Sequence, residues 1–522
     1  MKYTSRTVVA MTMLIGVCAL AVATVLAVLT AVVVAARAGG LWAILAAFAV
    51  VAALVGVGLA LRAARRRQRR PVQGVLISGD EEPLLWVEIC IVAEGLHMWP
   101  PSELVLAPDA SLVASENRTW LGLRPGVRRL QLGEVLLAGL TERQLRAAVA
   151  HELLRVWRPR SSARFIHRGR KLIGRVLDLV GQDSRAGRIV GRYGRALVAV
   201  SDPVIRSYQL DADRLGANLV GNGSTLTALR EIAVLSRGWE EFVDGYLAPA
   251  MAVRRRPEDV FASFAQFLEY PGRREELAAA IGEPEPRPLS RYDFHPALAE
   301  RLAAVLSLPD DGTRDRSGRA VDMLREPDRV IRHVREWMFQ DPAVIPASWE
   351  QIVPEAGRTS ARDNALRLVH LGNEGGLGPT LSVTNLLDII RYGLAPEMVR
   401  PLLDEGASEE LEREMAGRLV TAFLTAAAIE TGSASYRFSW AAPWQLVDRE
   451  GEVEDLPGLV DAALADPSEV AALERWLGTH KLSVKYELGD DRGPDATHGP
   501  SGASAEKTPG DPIPVPRSVL VP

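Results

Sequence analysis

The chain has 522 residues, 48% of them hydrophobic and 24% charged, with a net charge of −4. That is long enough for more than one compact unit, far from the composition of a disordered chain, and too nearly neutral for a dedicated nucleic-acid binder. Two cysteines, Cys18 and Cys90, exclude a disulfide framework and a thiolate metal cluster.

In chain order, the first elements are two apolar runs. Residues 7–36 and 41–61 carry no charge, and each exceeds the roughly 20 residues a helix needs to cross a bilayer. The first run is too long for the ~7–15-residue apolar core of a signal peptide, and a second follows at once. The expectation is a transmembrane helical hairpin with its polybasic flank over 1–70. Lys2 and Arg6 precede it, Arg37 lies in its loop, and Arg62, Arg65, Arg66, Arg67, Arg69 and Arg70 follow it. By the positive-inside bias, the N-terminus and the main body then lie in the cytoplasm, tethered to the inner membrane with the lipid bilayer as a partner.

The body opens with helical spacing through Leu84, Leu85, Val87, Ile91 and Val92, and Gly95 is a plausible stop. Short strands are expected at Glu103 to Ala107, Arg118 to Leu123 and Val127 to Leu132, punctuated by Pro-Asp and Pro-Gly turns. "TERQ", Thr141 to Gln144, forms a capping box that starts a helix running through His151 to Trp157, ended by Pro159. An arginine-rich segment follows, in which Phe165, Ile166, Leu172, Ile173, Val176, Leu177 and Val180 share one helical face. Such a basic amphipathic helix suits either an anionic leaflet or the surface of a domain core.

A second module is expected over 322–487. "ALRLVHLG", "LSVTNLLDIIRYG" and "SEELEREMAGRLVTAFLTAAAIETG" read as helices, Tyr436 to Asp448 as a strand pair, and "DPSEVAALERWLG" as a closing helix. Gly375-Gly376-Leu377-Gly378 lacks the lysine and hydroxyl of a phosphate loop and reads as a plain loop. From 488 to 522 the Gly, Pro, Asp and Ser content predicts a disordered tail.

The chemistry concentrates in "HELLR", His151 to Arg155. In H-E-x-x-H two histidines at i and i+4 hold zinc from one helical face, and the intervening Glu is the general base toward metal-bound water. Here the first His and the Glu are present, and Arg155 stands where the second His belongs.

Three stretches in order, "RRLQLGEVLLAGLTERQLRAAVAHEL", "SYQLDADRLGANLVGNGSTLTALREI" and "DFHPALAERLAAV", together with the apolar hairpin, resemble the HtpX-like family of membrane zinc metallopeptidases, relatives of the CAAX prenyl endopeptidases. The resemblance spans roughly the first 310 residues. It implies an α+β fold: the hairpin, a zincin-like metallopeptidase domain over 71–310 that is mainly helical with a small sheet, and then the mostly helical C-terminal module. It further implies that Glu152 is the general-base position and His151 a zinc-ligand position. The family's E-x-x-A-D appears here as Gln209 to Asp213, so the third ligand Glu is Gln209 and the supporting Asp is kept as Asp213. His295, in "HPALAER", is a family landmark beside the site.

Two of the three ligands implied by the resemblance are therefore replaced. A guanidinium has no lone pair to donate. Against a dication at ~4 Å and an effective dielectric of ~20 it costs on the order of 8 kcal/mol, comparable with the ~10–16 kcal/mol of a well-built zinc site. A neutral amide is a poor substitute for carboxylate or imidazole. Arg155, Glu152, Asp213 and neutral Gln209 sum to the same −1 as the family's zinc with its three carboxylates. The expectation is that Arg155 fills the zinc volume, bonds Glu152 or Asp213, and leaves no metal cofactor.

The reading is a degenerate, catalytically inactive metallopeptidase that binds polypeptide or membrane-protein clients, with no nucleic-acid partner. One alternative is an active endopeptidase with unusual ligation, for which His167 and His295 are the candidate substitutes. The other is an interaction scaffold working through the C-terminal module.

Overall fold

A computed structural model describes residues 2–38, 73–119, 124–157, 161–181, 184–281, 296–309, 311–312, 315–403, 406–442 and 444–489. The chain is mostly helical with small sheets. It divides into two compact units, one of Met1–Trp239 with Glu275–Met338, the other of Glu240–Arg274 with Phe339–Pro516.

The first unit begins with α1 (Lys2–Ala38), followed by β1 (Val75–Ile77), α2 (Pro83–Gly95), β2 (Glu103–Ala107), β3 (Leu112–Thr119) and β4 (Arg124–Gly133). The sheet order is β1-β2-β4-β3. β2 and β4 run parallel, Glu103 opposite Arg129, while β3 returns antiparallel to β4 with Leu112 opposite Leu132. Leu104, Leu106, Leu130 and Leu132 are fully buried, as is Leu85 on α2, so one apolar layer joins sheet and helix. Proline in the first turn of α2 costs no hydrogen bond, because that N–H lacks an intrahelical partner anyway.

The short α3 (Glu134–Gly139) leads into α4 (Glu142–Trp157). The capping box forms as the sequence predicts. Gln144 N donates to Thr141 Oγ1 at 3.2 Å and Thr141 N to Gln144 Oε1 at 2.9 Å, so two orphan donors are satisfied reciprocally. Beyond it come α5 (Ser161–Val180), α6 (Arg185–Val220) and α7 (Asn222–Phe242). Ala10 and Leu14 of α1 are buried with Ile166 and Ile173 of α5 and with Leu197, Val204 and Ile205 of α6. Gly169 permits this approach, since a Cβ there would strike the Leu14 methyls.

These contacts bear on the expected membrane hairpin, which is corrected here. Among the described residues no helix is long and apolar enough to cross a membrane, so the two spans, and the inner-membrane placement that rested on them, are not supported. The first apolar run is part of one helix whose Ala10 and Leu14, an i, i+4 pair, form a seam against protein. An uncharged run does not by itself distinguish lipid from protein as the surface it is buried against. The second run, 41–61, lies outside the described residues. A further difference concerns the strand expected at Arg118 to Leu123. The strand starts at Leu112 and ends at Thr119, with an irregularity between Asn117 and Thr119, its register set by β4 and its Ala114 buried; residues 120–123 of the expected strand lie outside the described residues.

In the second unit, the helices Trp349–Glu374, Val383–Arg391, Glu409–Glu430, Leu456–Ala465 and Val470–Thr479 enclose a core around Leu368, Leu386, Phe423, Leu424 and Leu473. The strand pair predicted between Tyr436 and Asp448 forms as Ala434–Arg437 antiparallel to Gln445–Asp448. Phe242, Tyr246, Phe267, Trp349 and Trp440 cluster with ring centroids about 5–6 Å apart. Gly376 and Gly378 lie at φ 88° and 96°, the left-handed backbone of a loop. Of the tail expected over 488–522, Leu488 and Gly489 instead belong to a strand, Glu487–Gly489, antiparallel to Thr380–Ser382, and the rest lies outside the described residues.

Candidate functional site

α4 and α6 pack lengthwise and bring the motif residues together. Tyr208 OH donates to Leu154 O at 3.2 Å at one end of the contact. At the other, Gly216 lets α6 approach Ala150 and His151, where a Cβ would lie 3.6 Å from that of Ala150. Asp213 falls between these points, and Gln209, one turn earlier on the same face, is buried with it. Both therefore face the His151–Arg155 turn of α4.

His151 Nδ1 lies 2.7 Å from Asp213 Oδ1, with 16% of the imidazole side chain and none of the carboxylate exposed. Asp213 is also held by Arg301, whose Nη2 donates to Oδ1 at 2.8 Å and Nε to Oδ2 at 3.0 Å. This two-pronged pair comes from the Leu298–Leu306 helix, which starts just past His295 in the chain. His295 itself lies outside the described residues.

Glu152 is engaged separately. Arg155 Nε donates to Oε2 at 2.8 Å and Arg155 Nη2 to Oε1 at 2.5 Å. Oε1 also accepts Ala114 N of β3 at 2.8 Å. Ala114 thus directs its N–H away from β4, outward from the terminal strand of the sheet. Glu152, expected as a general-base position, is thus engaged by one guanidinium fork and one backbone amide, and Arg155 chooses it over Asp213.

The electrostatics follow from these pairs. Burial alone would raise Asp213, but the imidazole and the Arg301 fork outweigh it and hold the carboxyl at about 2. Burial lowers His151 below its usual value, Arg301 lowers it further, and Asp213 opposes both only in part, which favours the neutral imidazole. Burial raises Glu152, yet the Arg155 charge and hydrogen bonds bring it below the ordinary carboxyl value. Arg301 was not singled out in the sequence. Adding it to Arg155, Glu152 and Asp213 brings the local charge to zero, so the tally of −1 counted one cation too few.

The donors present do not fit zinc. Arg155 supplies no lone pair, both Glu152 oxygens are occupied, and Asp213 is shared between Arg301 and His151. Among the described residues no group of three His, Cys, Asp or Glu side chains is placed to hold a metal ion. His167, proposed as a substitute ligand, lies on α5 next to Ile166, which packs with α1 and α6. What the arrangement can do chemically is lock three helices and a strand: His151 against Asp213 ties α4 to α6, the Arg301 fork on Asp213 ties α6 to the Leu298–Leu306 helix, and Glu152, held by Arg155 of its own helix, pins β3.

No family model, no curated protein and no solved structure matches this chain.

Proposed function

We propose that the chain is a non-catalytic relative of the HtpX-like zinc metallopeptidases that binds polypeptide without cutting it. The observation that carries this reading is the fork of Arg155 on Glu152. A general base must reach the proton it abstracts, and a carboxylate held by a guanidinium below its ordinary pKa is a weakened base whose lone pairs are already engaged. The resemblance in sequence supplies the ancestry, and the altered ligand positions supply the loss of chemistry. Binding falls to β3, the outer strand of the four-stranded sheet, where an extended segment adds by main-chain hydrogen bonding. Ala114 N is taken by Glu152, so such a segment pairs on either side of that position or displaces the carboxylate.

The test is metal content of the purified full chain after zinc loading and removal of excess, beside the double variant Arg155→His with Gln209→Glu. Wild type is expected to retain only traces. The variant, carrying imidazole, imidazole and carboxylate at the three family positions, is expected to take up about one zinc per chain. Stoichiometric zinc in wild type would overturn the inactive reading. A folded variant that takes none would overturn the ancestry of the site.

A further inference from the structure

The outward face of α2 departs from what a surface helix presents. Its inward side is apolar and buried, through Leu85, Ile89, Val92 and Ala93. Its outward side, where a water-facing helix carries charge, is apolar as well, with Leu84 59%, Val87 51% and Ile91 51% exposed. At about 100° per residue these three fall within about 60° of one another and on the side away from the buried set. A helix that is apolar all round belongs in an interior, and this one has an interior on one side only. Apart from α1, no other helix among the described residues exposes three large aliphatic side chains. The apolar face runs on past the helix end, because Leu219 of α6, 39% exposed, lies so close to Gly95 that a Cβ there would fall 2.7 Å from its Cδ1. A contiguous apolar patch with a polar border marks a docking surface.

The border decides the occupant. Helix geometry puts Glu88 along one side of the patch and Glu94 along the other, and Asp80 and Glu81 precede the first turn. Arg146 bonds Glu88 at 2.6 Å, and the charges of Arg329 and His333 act on Glu81. Asp80 and Glu94 are exposed. Residues 71–117 contain no Lys or Arg, in a chain with 61 of them. A second copy laid face to face would set carboxylate against carboxylate, and an anionic lipid surface or a nucleic-acid backbone meets the same repulsion. The complement is an apolar stripe bordered by cations.

We propose that the outward face of α2 docks a basic amphipathic helix of a partner polypeptide, its apolar side chains on Leu84, Val87 and Ile91 and its Lys or Arg on Asp80 and Glu94. This surface is separate from the Glu152 pairs and from the outer edge of β3, so the proposal stands whether or not the reading of that site survives.

The experiment is fluorescence anisotropy on the full chain with a labelled helical peptide of about 18 residues, leucine on one face and lysine along both borders. The comparison peptide keeps the leucines and carries glutamate at every lysine position. The lysine peptide is expected to bind, weakening as salt rises, and the glutamate peptide to bind at least about tenfold less tightly. Covering the exposed half of a Val or Ile side chain is worth about fivefold in affinity, so Val87→Ser with Ile91→Ser is expected to weaken binding by about 25-fold. Asp80→Asn with Glu94→Gln is expected to weaken it by about fivefold and to flatten the salt dependence. Leu402→Ser, at a leucine of the other unit that is 47% exposed, is expected to leave it unchanged. All these side chains are on the surface, so circular dichroism of the variants is expected to match wild type, and the charge pair tests the border without touching the apolar face. Absence of binding, equal affinity for the glutamate peptide, or indifference to either pair of substitutions would overturn the proposal. So would tighter binding to phosphatidylglycerol vesicles, or a wild-type dimer in sedimentation velocity that the Val87 and Ile91 substitutions abolish, since the occupant would then be lipid or a second copy.

Discussion

Arg155→Ala is the perturbation that tests the site most directly. The substitution removes both guanidinium bonds from Glu152 and leaves the carboxylate, 6% exposed, with the Ala114 amide as its remaining partner at this site. Breaking a fully buried ion pair costs about 3–5 kcal/mol because one charge stays uncompensated. The Arg155 side chain is 20% exposed, so water reaches part of the gap and the cost is about 2–3 kcal/mol. In a unit of this size that lowers the thermal midpoint by about 4–8 °C. Differential scanning calorimetry reads the shift, and a partner variant separates loss of packing from loss of charge compensation. Glu152→Gln with Arg155→Met keeps an acceptor for Ala114 N and buries no charge, so it is expected to stay within about 1 kcal/mol of wild type. A midpoint for Arg155→Ala within 1 °C of wild type would refute the reasoning, as would a double variant destabilised as much as the single one.

Two further outcomes follow from the same structure. Asp213 is depressed from 3.8 to about 2, so its contribution of about 2 kcal/mol is fully present above pH 3.8 and is lost as pH falls toward 2. His151 is lowered from 6.5, so the unfolded chain takes up that proton first and stability declines as pH drops below 6.5. Both effects have the same sign, and denaturant midpoints are expected to fall steadily from pH 7.5 to pH 4, with His151→Gln flattening the upper part of the decline. A midpoint that rises between pH 7.5 and 5.5 would contradict this. In the second unit, a Cβ on Gly357 would collide with the ring of Tyr436. Gly357→Ala is therefore expected to destabilise by about 1–2 kcal/mol despite the better helix propensity of alanine. In a Tyr436→Ala background the same change is expected to stabilise by up to about 1 kcal/mol, and urea denaturation of the four proteins measures the reversal.

Several elements were legible in the sequence because their causes are local. The Thr141–Gln144 box needs four consecutive residues, and it forms. The glycine-rich run after Glu374 lacks the residues for anything but a loop, and its positive φ values agree. The Tyr436 to Asp448 strand pair is a short-range hairpin and also forms. Where the cause is not local, reading failed or stopped short. β3 begins six residues before the strand expected there, because its register is set by β4 and not by its own composition. The segment Glu240–Arg274 precedes the 275–338 stretch in the chain yet joins the second unit, through contacts such as Trp349 Nε1 donating to Ser263 Oγ at 2.9 Å.

The site divides the same way. One helical turn places His151, Glu152 and Arg155 within reach of each other, and i, i+4 spacing aligns Gln209 with Asp213; the sequence alone determined both, since helix geometry is a property of neighbouring residues. Which guanidinium meets which carboxylate was decided only by tertiary structure. Arg301 arrives 88 residues after Asp213 and claims it, while β3 contributes an amide to Glu152 from 38 residues away. Charge pairing over such separations depends on how α4, α6 and the sheet pack, and packing is settled by the shape of the whole buried layer. The apolar run of α1 is the same case: its composition determined that it is an apolar helix, and the seam with α5 and α6 decided that Ala10 and Leu14 are buried while Val8, Val9, Ile15 and Leu26 stay exposed.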